Sequence, residues 1–535
     1  MNEYDYIVVG AGSAGCVLAN RLSADERNRV LLIEAGPADS YPWIHVPIGY
    51  AKTMFNERYN WCLYTEPDPG MNNRRIYWPR GKVLGGSSAI NGLIYIRGQH
   101  ADYDDWEREG NPGWGWKDVL PYFIRAERNE RGASEYHGAE GFQGVSDVAE
   151  PNELARAFVD ACADVGMSRN DDFNGANQEG AGLFQLITWR GRRCSSAVGY
   201  LKPAKQRRNL DIQTQALAAR IIIENGEARG IEYWREGARI TARANVEVIL
   251  SAGAIQSPQL LMLSGIGEPD ELSQHGIDVI HPNPAVGKNL QDHLQIRLIN
   301  ECNKKITTND DLRSLYRQFR MGIRYLLFRK GPLAIGINQA GAFTSTGVDP
   351  DRPEDPDIQF HFGALSSDMP GSPLHDFSGF TSSVCQLRPK SKGFIRLKSS
   401  RPEDTPEMHP NYLSTEVDRK TVVEALRIAR RVSDSPSLRR YVKREHAPGS
   451  DVSSDDELLE FARNTGVTIF HPTCTCRMGS DENSVVDHRL RVRGVGRLRV
   501  ADCSIMPSLV SGNTHAPAVM IAEKASDMII EDNRS

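Results

Sequence analysis

The sequence predicts an α/β fold centred on a parallel sheet, and three observations near the N-terminus carry that expectation. Residues 4–9 form a short β-branched and aromatic run that reads as a buried strand. The run enters GAGSAG at residues 10–15, where Gly10, Gly12 and Gly15 give G-x-G-x-x-G, and helix formers with an apolar stripe follow at residues 16–22. A second apolar run, Val30–Ile33, ends at Glu34, about 20 residues beyond the glycines.

Each residue type in this opening has a physical reason. Gly10 permits a tight turn, Gly12 leaves room for a pyrophosphate against the backbone, and Gly15 lets helix and strand pack closely. Ser13 and Ala14 open the helix, whose free N–H groups and positive dipole end suit phosphates. Glu34 is placed to accept hydrogen bonds from a ribose diol. Strand, glycine turn, helix and acid at this spacing predict a Rossmann-like dinucleotide-binding domain.

At 535 residues the chain is long enough for two domains. The formal net charge of -5 gives no basic excess for nucleic acid. No apolar run reaches membrane-spanning length. The chain enters a strand by residue 6, which leaves no room for an ordinary secretory signal. Nine cysteines are an odd count, so they cannot all pair within the chain, and reduced thiols in a cytoplasmic protein are expected.

Residues 36–75 are rich in Pro, Trp, Tyr and Asn and read as a long ordered loop. Residues 78–98 then mix glycines and small hydroxyls with apolar residues, a composition that can lay backbone N–H groups against a flat ligand. Further on, GAIQSPQLLMLSGIG at 253–267, VGKNLQDH at 286–293, HPTCTCRMG at 471–479 and the tail at 500–529 complete a series.

In that order these segments resemble the glucose–methanol–choline (GMC) oxidoreductases, FAD-dependent alcohol oxidases and dehydrogenases. RGKVLGGSSAINGLIYIRG at 80–98 resembles their first signature and residues 253–267 their second. The likeness covers nearly the whole chain. It looks nearest to bacterial dehydrogenases of the choline, sorbose and polyethylene glycol type.

The resemblance implies an FAD-binding domain from residues 1–155, 206–295 and 465–535, and a substrate-binding domain from 156–205 and 296–464. The second is expected to carry an antiparallel sheet backed by helices. Strands are expected at 210–214, 219–223, 230–234 and 246–250 in the FAD lobe. Besides the fingerprint, Arg80, Val83, Gly86, Asn91, Gly92, Leu93 and Ile94 are expected cofactor contacts. Ala218 lies where relatives hold the adenine through backbone atoms. Ile90 stands where some relatives carry a histidine bonded covalently to the flavin, so noncovalent FAD is expected.

Residues 312–330 read as one basic amphipathic helix. Arg313, Arg317, Arg320 and Arg324 recur at helical spacing, and Leu315, Phe319, Ile323 and Leu326 share another face. The expected role is a domain helix with a solvated charged face. The alternative is a peripheral contact with the inner membrane, delivering electrons to a respiratory acceptor.

Alcohol oxidation needs a base for the hydroxyl proton, and histidine acts near neutral pH. His471 stands where a strand-like run at 467–470 meets Pro472, a junction that can expose a side chain into a cleft. The resemblance assigns it as the family's catalytic histidine. Cys474 and Cys476 lack the spacing of a zinc or redox pair, and no metal site is expected.

In the tail, a strand at 498–501 and an excursion lead to a helix expected at 518–530, with Pro517 in its first turn. Its N-terminus would point a positive dipole end at the ligand. By resemblance, Asn513 hydrogen-bonds the substrate oxygen, while Asp502 and Thr514 lie at the cofactor. His515 replaces an asparagine of many relatives. It reads as a polar contact at the helix cap or as a second base.

The expected function is an FAD-dependent alcohol dehydrogenase that oxidises a primary, polyol or glycol alcohol to the aldehyde. Electrons pass to a quinone, cytochrome or dye-like acceptor. The alternatives are an oxidase releasing peroxide, a choline dehydrogenase, a hydroxynitrile lyase with structural FAD, and a non-enzymatic flavoprotein.

Overall fold

The structure is a computed structural model and describes residues 2–369 and 371–533. Two seven-stranded sheets organise it. In the first, strand Asn2–Val9 lies between Val30–Ile33 and the long strand Ala238–Leu250, parallel to both. Leu210–Gln213 extends the sheet beyond Val30–Ile33, again in parallel. Such strands are covered on both faces, which is why they read as apolar runs: Ile7, Val8, Val30, Leu31 and Leu32 are fully buried.

Beyond Ala238–Leu250 the sheet divides. Residues Val248, Ile249 and Leu250 pair in parallel with Leu498–Val500. The earlier part of that strand pairs antiparallel with Glu227–Arg235, which carries Ala216–Glu224 at the edge. The strands expected at 219–223, 230–234 and 246–250 fall within these three but are too short, and 246–250 covers only the parallel end of the long strand. The missed ends mix exposed and half-buried residues with small buried alanines (Ala216, Ala242, Ala244), a pattern that does not read as a continuous apolar run.

Helix Ser13–Leu22 follows the first strand and Gly253–Leu263 follows the long one. The C-terminal helix His515–Asp532 packs against Ser13–Leu22 and starts three residues earlier than expected, with Thr514 at its N-cap and Pro517 in its first turn. The carboxyl ends of the parallel strands share one edge of the sheet, the edge at which such sheets take their ligands.

The second sheet is antiparallel throughout, in the order Val442–Ala447, Leu294–Cys302, Gly379–Gln386, Ile358–Gly363, Asn338–Thr344 and Gly180–Leu183. Its register separates two faces. Phe360, Val384 and Ile296 form one row of the apolar face, and Phe362 of that face stacks on Phe158 of helix Glu153–Asp164 at 4.7 Å. Helix Glu416–Asp434 also backs this sheet, burying Val422, Leu426, Ala429 and Val432. The opposite face carries the rows Gln359–Cys385–Gln295 and His361–Ser383–Arg297.

Strand Val467–Thr468 also pairs with Leu294–Cys302, with Thr468 opposite Leu294. That pairing brings His293 and His471 together from segments 178 residues apart. Within 36–75, short helices Pro42–His45 and Tyr50–Thr53 and a strand pair joining Leu63–Tyr64 to Tyr77–Trp78 replace the expected loop.

Residues 312–330 form two helices, not one. Ser314 is extended (φ -104, ψ 111) between Thr308–Arg313 and Leu315–Phe328, and its hydroxyl accepts the Arg317 N–H. The apolar stripe points outward. Leu315 is 82% exposed, and Phe319 and Leu326 are each 69% exposed, while Tyr325 is buried and donates its hydroxyl to Gly191 O at 3.1 Å. Tyr325 is the one fully buried residue of this helix, so the amphipathic spacing does not mark its inward side.

Candidate active site

A cavity of about 790 Å³ lies between the carboxyl edge of the parallel sheet and the polar face of the antiparallel one. Of the residues expected at the cofactor, Gly10, Gly12, Ser13, Ala14, Glu34, Arg80, Gly86, Asn91, Gly92, Leu93, Ile94, Ala218, Asp502 and Thr514 line it. Gly15 and Val83 do not. Gly15 acts behind the wall, where a Cβ would sit 1.8 Å from the carbonyl oxygen of Gly10. The side chain of Val83 is fully buried with Ile44, Tyr59, Ala89 and Ile90, turned inward from the glycine-rich loop.

Several glycines leave open space along the cavity wall. A Cβ at Gly12 would meet only Ser251 O, at 3.8 Å, and one at Gly92 or Gly253 would meet nothing within 4 Å. Gly12 and Thr514 are the N-caps of helices Ser13–Leu22 and His515–Asp532, and neither helix has a side-chain cap. Both N-termini therefore present free N–H groups at the cavity, a setting that favours phosphate.

Glu34 and Asp502 hold the two ends of this surface in shape. Glu34 accepts the N–H groups of Ala11 at 3.0 Å and Gly36 at 2.8 Å. Burial pushes its pKa up to about 7, against the pull of those backbone donors. A carboxylate has about four lone-pair positions, so acceptor capacity remains for a diol. Asp502 accepts from Gly253 N at 2.9 Å, Ser257 Oγ at 2.6 Å and Ser504 N at 2.8 Å, tying the strand end to helix Gly253–Leu263. At Ala218 the strand register shifts, which interrupts the ladder beside the cavity.

His471 is buried at the junction of the two sheets and faces the cavity. Its N–H donates to Asp292 Oδ1 at 2.8 Å, and Arg80 Nη2 donates to the preceding carbonyl of Phe470 at 2.6 Å. The ring is therefore fixed at its backbone from both sides.

The hydrogen positions on this ring follow from its neighbours. His293 Nε2 lies 3.0 Å from Leu387 O, which can only accept, so Nε2 carries a hydrogen. Burial pushes the pKa of His293 down to about 4, so the ring is neutral and its Nδ1 is an acceptor. His471 Nδ1 faces that acceptor at 3.0 Å and must donate. Burial, reinforced by His293 and His361, keeps His471 well below the usual histidine range, and Nε2 of this neutral ring is left as an acceptor on the cavity side.

Asn513 Nδ2 lies 3.3 Å from His471 Nε2. Gln359 Nε2 donates to Asn513 Oδ1 at 3.3 Å, which fixes the amide with its NH₂ toward the histidine. His361 also contacts Asn513, and burial pushes its pKa down to about 3. Three neutral imidazoles and an oriented amide thus surround one corner of the cavity. That corner can accept a proton at His471 Nε2 and donate a hydrogen bond from Asn513.

His515 is engaged elsewhere. Its Nδ1 meets Ser13 Oγ at 3.0 Å and its Nε2 meets Gln143 Oε1 at 2.9 Å. Burial lowers its pKa to about 4. It joins the two uncapped helix starts, and the base role held open for it has no geometric support.

Sequence reasoning missed the roles of His293, His361 and Arg193. His293 was visible only as the last residue of the stretch 286–293, immediately before an apolar strand. Arg193 is buried behind the cavity wall, where it donates to Asn91 Oδ1 at 2.6 Å and to backbone carbonyls including Ile44 O at 3.0 Å. Nothing local in the sequence marks it.

Comparison with known proteins agrees with this geometry. A GMC oxidoreductase family model matches residues 4–295, and the model of the family's C-terminal part matches residues 389–522. An alcohol dehydrogenase [acceptor] of Pseudomonas putida is 46% identical over 98% of this chain and 96% of its own. Mitochondrial choline dehydrogenase of Homo sapiens is 43% identical over 99% and 90%. Among solved structures, pyridoxine 4-oxidase from Mesorbium loti superposes with a TM-score of 0.87 at 32% identity, covering 98% of each chain. An Aspergillus oryzae formate oxidase variant studied for FAD modification gives a TM-score of 0.94 at 26% identity, covering 100% of this chain and 99% of that one.

Proposed function

The chain belongs to the GMC oxidoreductase family and is an FAD-dependent oxidoreductase acting on the CH–OH groups of alcohols, and from that premise we propose that it is an alcohol dehydrogenase that oxidises a primary, polyol or glycol alcohol to the aldehyde. The observation that carries the reading is the unprotonated Nε2 of His471, an acceptor 3.3 Å from the Nδ2 of Asn513, with both side chains facing the cavity.

In this proposal the cofactor is held noncovalently by the glycine turn at 10–15, Glu34, Ala218, residues 80–94, Asp502 and the helix start at Thr514. Ile90 on the cavity wall offers no atom for a covalent bond. When bound, FAD supplies a two-electron acceptor for the carbinol hydrogen, taken as a hydride. Asn513 donates from Nδ2 to the substrate oxygen and orients it. His471 takes the hydroxyl proton on Nε2 while His293 holds the opposite side of the ring. Stabilising the departing proton in this way is worth about 10²–10⁴-fold in rate.

Choline is the less favoured substrate. The polar face of the antiparallel sheet brings Arg297 to the cavity, and the cavity's only carboxylates among the described residues are Glu34 and Asp502 on the cofactor side. A quaternary ammonium group would meet a cation there with no compensating acid. We propose that electrons leave to a quinone, a cytochrome or an artificial dye, not to oxygen. The proposed setting is cytoplasmic, with a peripheral contact at the inner membrane.

The test is a panel of primary alcohols, glycol ethers, polyols and choline, each assayed once with a dye acceptor and once by oxygen consumption with peroxide detection. Dye-coupled turnover of uncharged alcohols without peroxide supports the reading. Stoichiometric peroxide makes the enzyme an oxidase, and a clear preference for choline overturns the substrate assignment.

A further inference from the structure

We propose that the outward face of helix Leu315–Phe328 docks on a bilayer containing anionic lipid and so sets the mouth of the cavity against the membrane surface. The apolar arc Leu315, Phe319, Ile323, Leu326 and Leu327 is exposed along one side of the helix. At 1.5 Å per residue this arc is about 20 Å long. A stripe of this kind on a soluble chain is ordinarily covered by a partner.

Charge identifies the partner. Residues 313–330 hold six cations and no acid, on a chain whose net charge is -5. Arg313, Arg317 and Arg324 are paired with Asp310, Asp311 and Glu150. Arg320, Arg329 and Lys330 are exposed. At 100° per residue, Arg320 and Arg324 follow the edge of the apolar arc. From there a guanidinium can reach lipid phosphates while its stem covers the acyl boundary. A second copy of the chain suits this face less well, because a two-fold contact brings like charges together.

Leu312, at the end of helix Thr308–Arg313, and the half-buried Met321 of helix Leu315–Phe328 line the cavity. One short segment is thus both the cavity wall and the exposed apolar stripe. A lipid-borne alcohol or electron acceptor would reach the cavity beside the bilayer without crossing bulk water. The docking rests on the exposed face alone, whereas its service to the chemistry rests on the alcohol-oxidation reading.

The test is flotation of the holoenzyme with phosphatidylcholine vesicles, with and without phosphatidylglycerol. Flotation with the anionic vesicles, weakened by salt, is expected. The triple variant Leu315→Ser, Phe319→Ser, Leu326→Ser should float at least about tenfold less while keeping its turnover of a water-soluble alcohol with a soluble dye. Arg320→Glu should lose much of the preference for anionic lipid and keep the fold. No flotation with either vesicle overturns the proposal. So does a lipid-free dimer in sedimentation velocity that the triple variant converts to monomer. If the alcohol reading alone is wrong, flotation persists and no alcohol turns over.

Discussion

The Nδ1 atoms of His471 and His293 face each other at 3.0 Å, and the carbonyl of Leu387 on the far side of His293 decides which of them holds the hydrogen. A backbone carbonyl cannot donate, so the order of donors runs one way and leaves His471 Nε2 as the acceptor. His293 is in this sense a positioning residue. It never meets the substrate, yet it selects the tautomer of the ring that does.

Replacing His293 by Ala should lower kcat on the order of a hundredfold, because His471 can then adopt either tautomer. FAD content should be unchanged, since His293 does not line the cavity. His293→Gln, whose side-chain oxygen can accept from His471 Nδ1, should recover part of the loss. Steady-state kinetics on flavin-normalised enzyme checks this. Equal losses in both variants would make His293 a packing residue only.

The pH dependence of kcat/KM should be unusual for a histidine base. A base works when unprotonated, and the pKa of His471 lies well below the ordinary 6.5, chiefly through burial. Activity should therefore stay level as pH falls through 6.5 and drop only below it. An acidic limb at or above 6.5 would mean that the ring is not held neutral as described.

Two glycines of the fingerprint should fail in different ways. A Cβ at Gly15 would meet Gly10 O at 1.8 Å, so Gly15→Ala should lose both flavin and thermal stability. At Gly12 a Cβ has 3.8 Å to its nearest protein atom and the φ of -75° suits alanine. Gly12→Ala should therefore keep the melting temperature of the apoprotein and bind FAD more weakly. Thermal unfolding of apoprotein together with FAD titration separates the two.

A buried cluster away from the cavity should make stability fall in mild alkali. His137 Nδ1 faces Glu127 Oε2 at 2.9 Å and its Nε2 faces Asp172 Oδ2 at 2.9 Å. Burial opposes protonation, but the two carboxylates outweigh it and raise the pKa from 6.5 to about 9. Because the folded value is raised, the contribution is fully present below 6.5 and is lost as pH rises from 6.5 through 9. It is worth at most about 3 kcal/mol. Melting temperature followed from pH 6 to 9 should fall, and His137→Gln should flatten that part of the curve.

The extent to which the site could be read from sequence depended on how local each signal was. The strand, turn and helix at residues 4–22 follow from neighbours in the chain, and the cavity has its phosphate-shaped surface there. His471 was marked by a strand end and assigned, like Asn513, through the family resemblance, and the two lie 3.3 Å apart. The role of His293 was hidden because it comes from Leu387, 94 residues away. His515 was ambiguous for the same reason, since its partner Gln143 is 372 residues distant. Helix Leu315–Phe328 was legible as amphipathic, but periodicity does not say whether the apolar side meets protein or something else.

The account turns on His471 taking the hydroxyl proton. The direct measurement is anaerobic rapid mixing of FAD-loaded enzyme with a primary alcohol, following loss of the oxidised flavin absorbance in wild type and in His471→Ala. Wild-type enzyme should bleach within its turnover time, and the variant, with equal flavin content, should bleach about 10²–10⁴-fold more slowly. Bleaching of the variant at the wild-type rate would contradict the assignment.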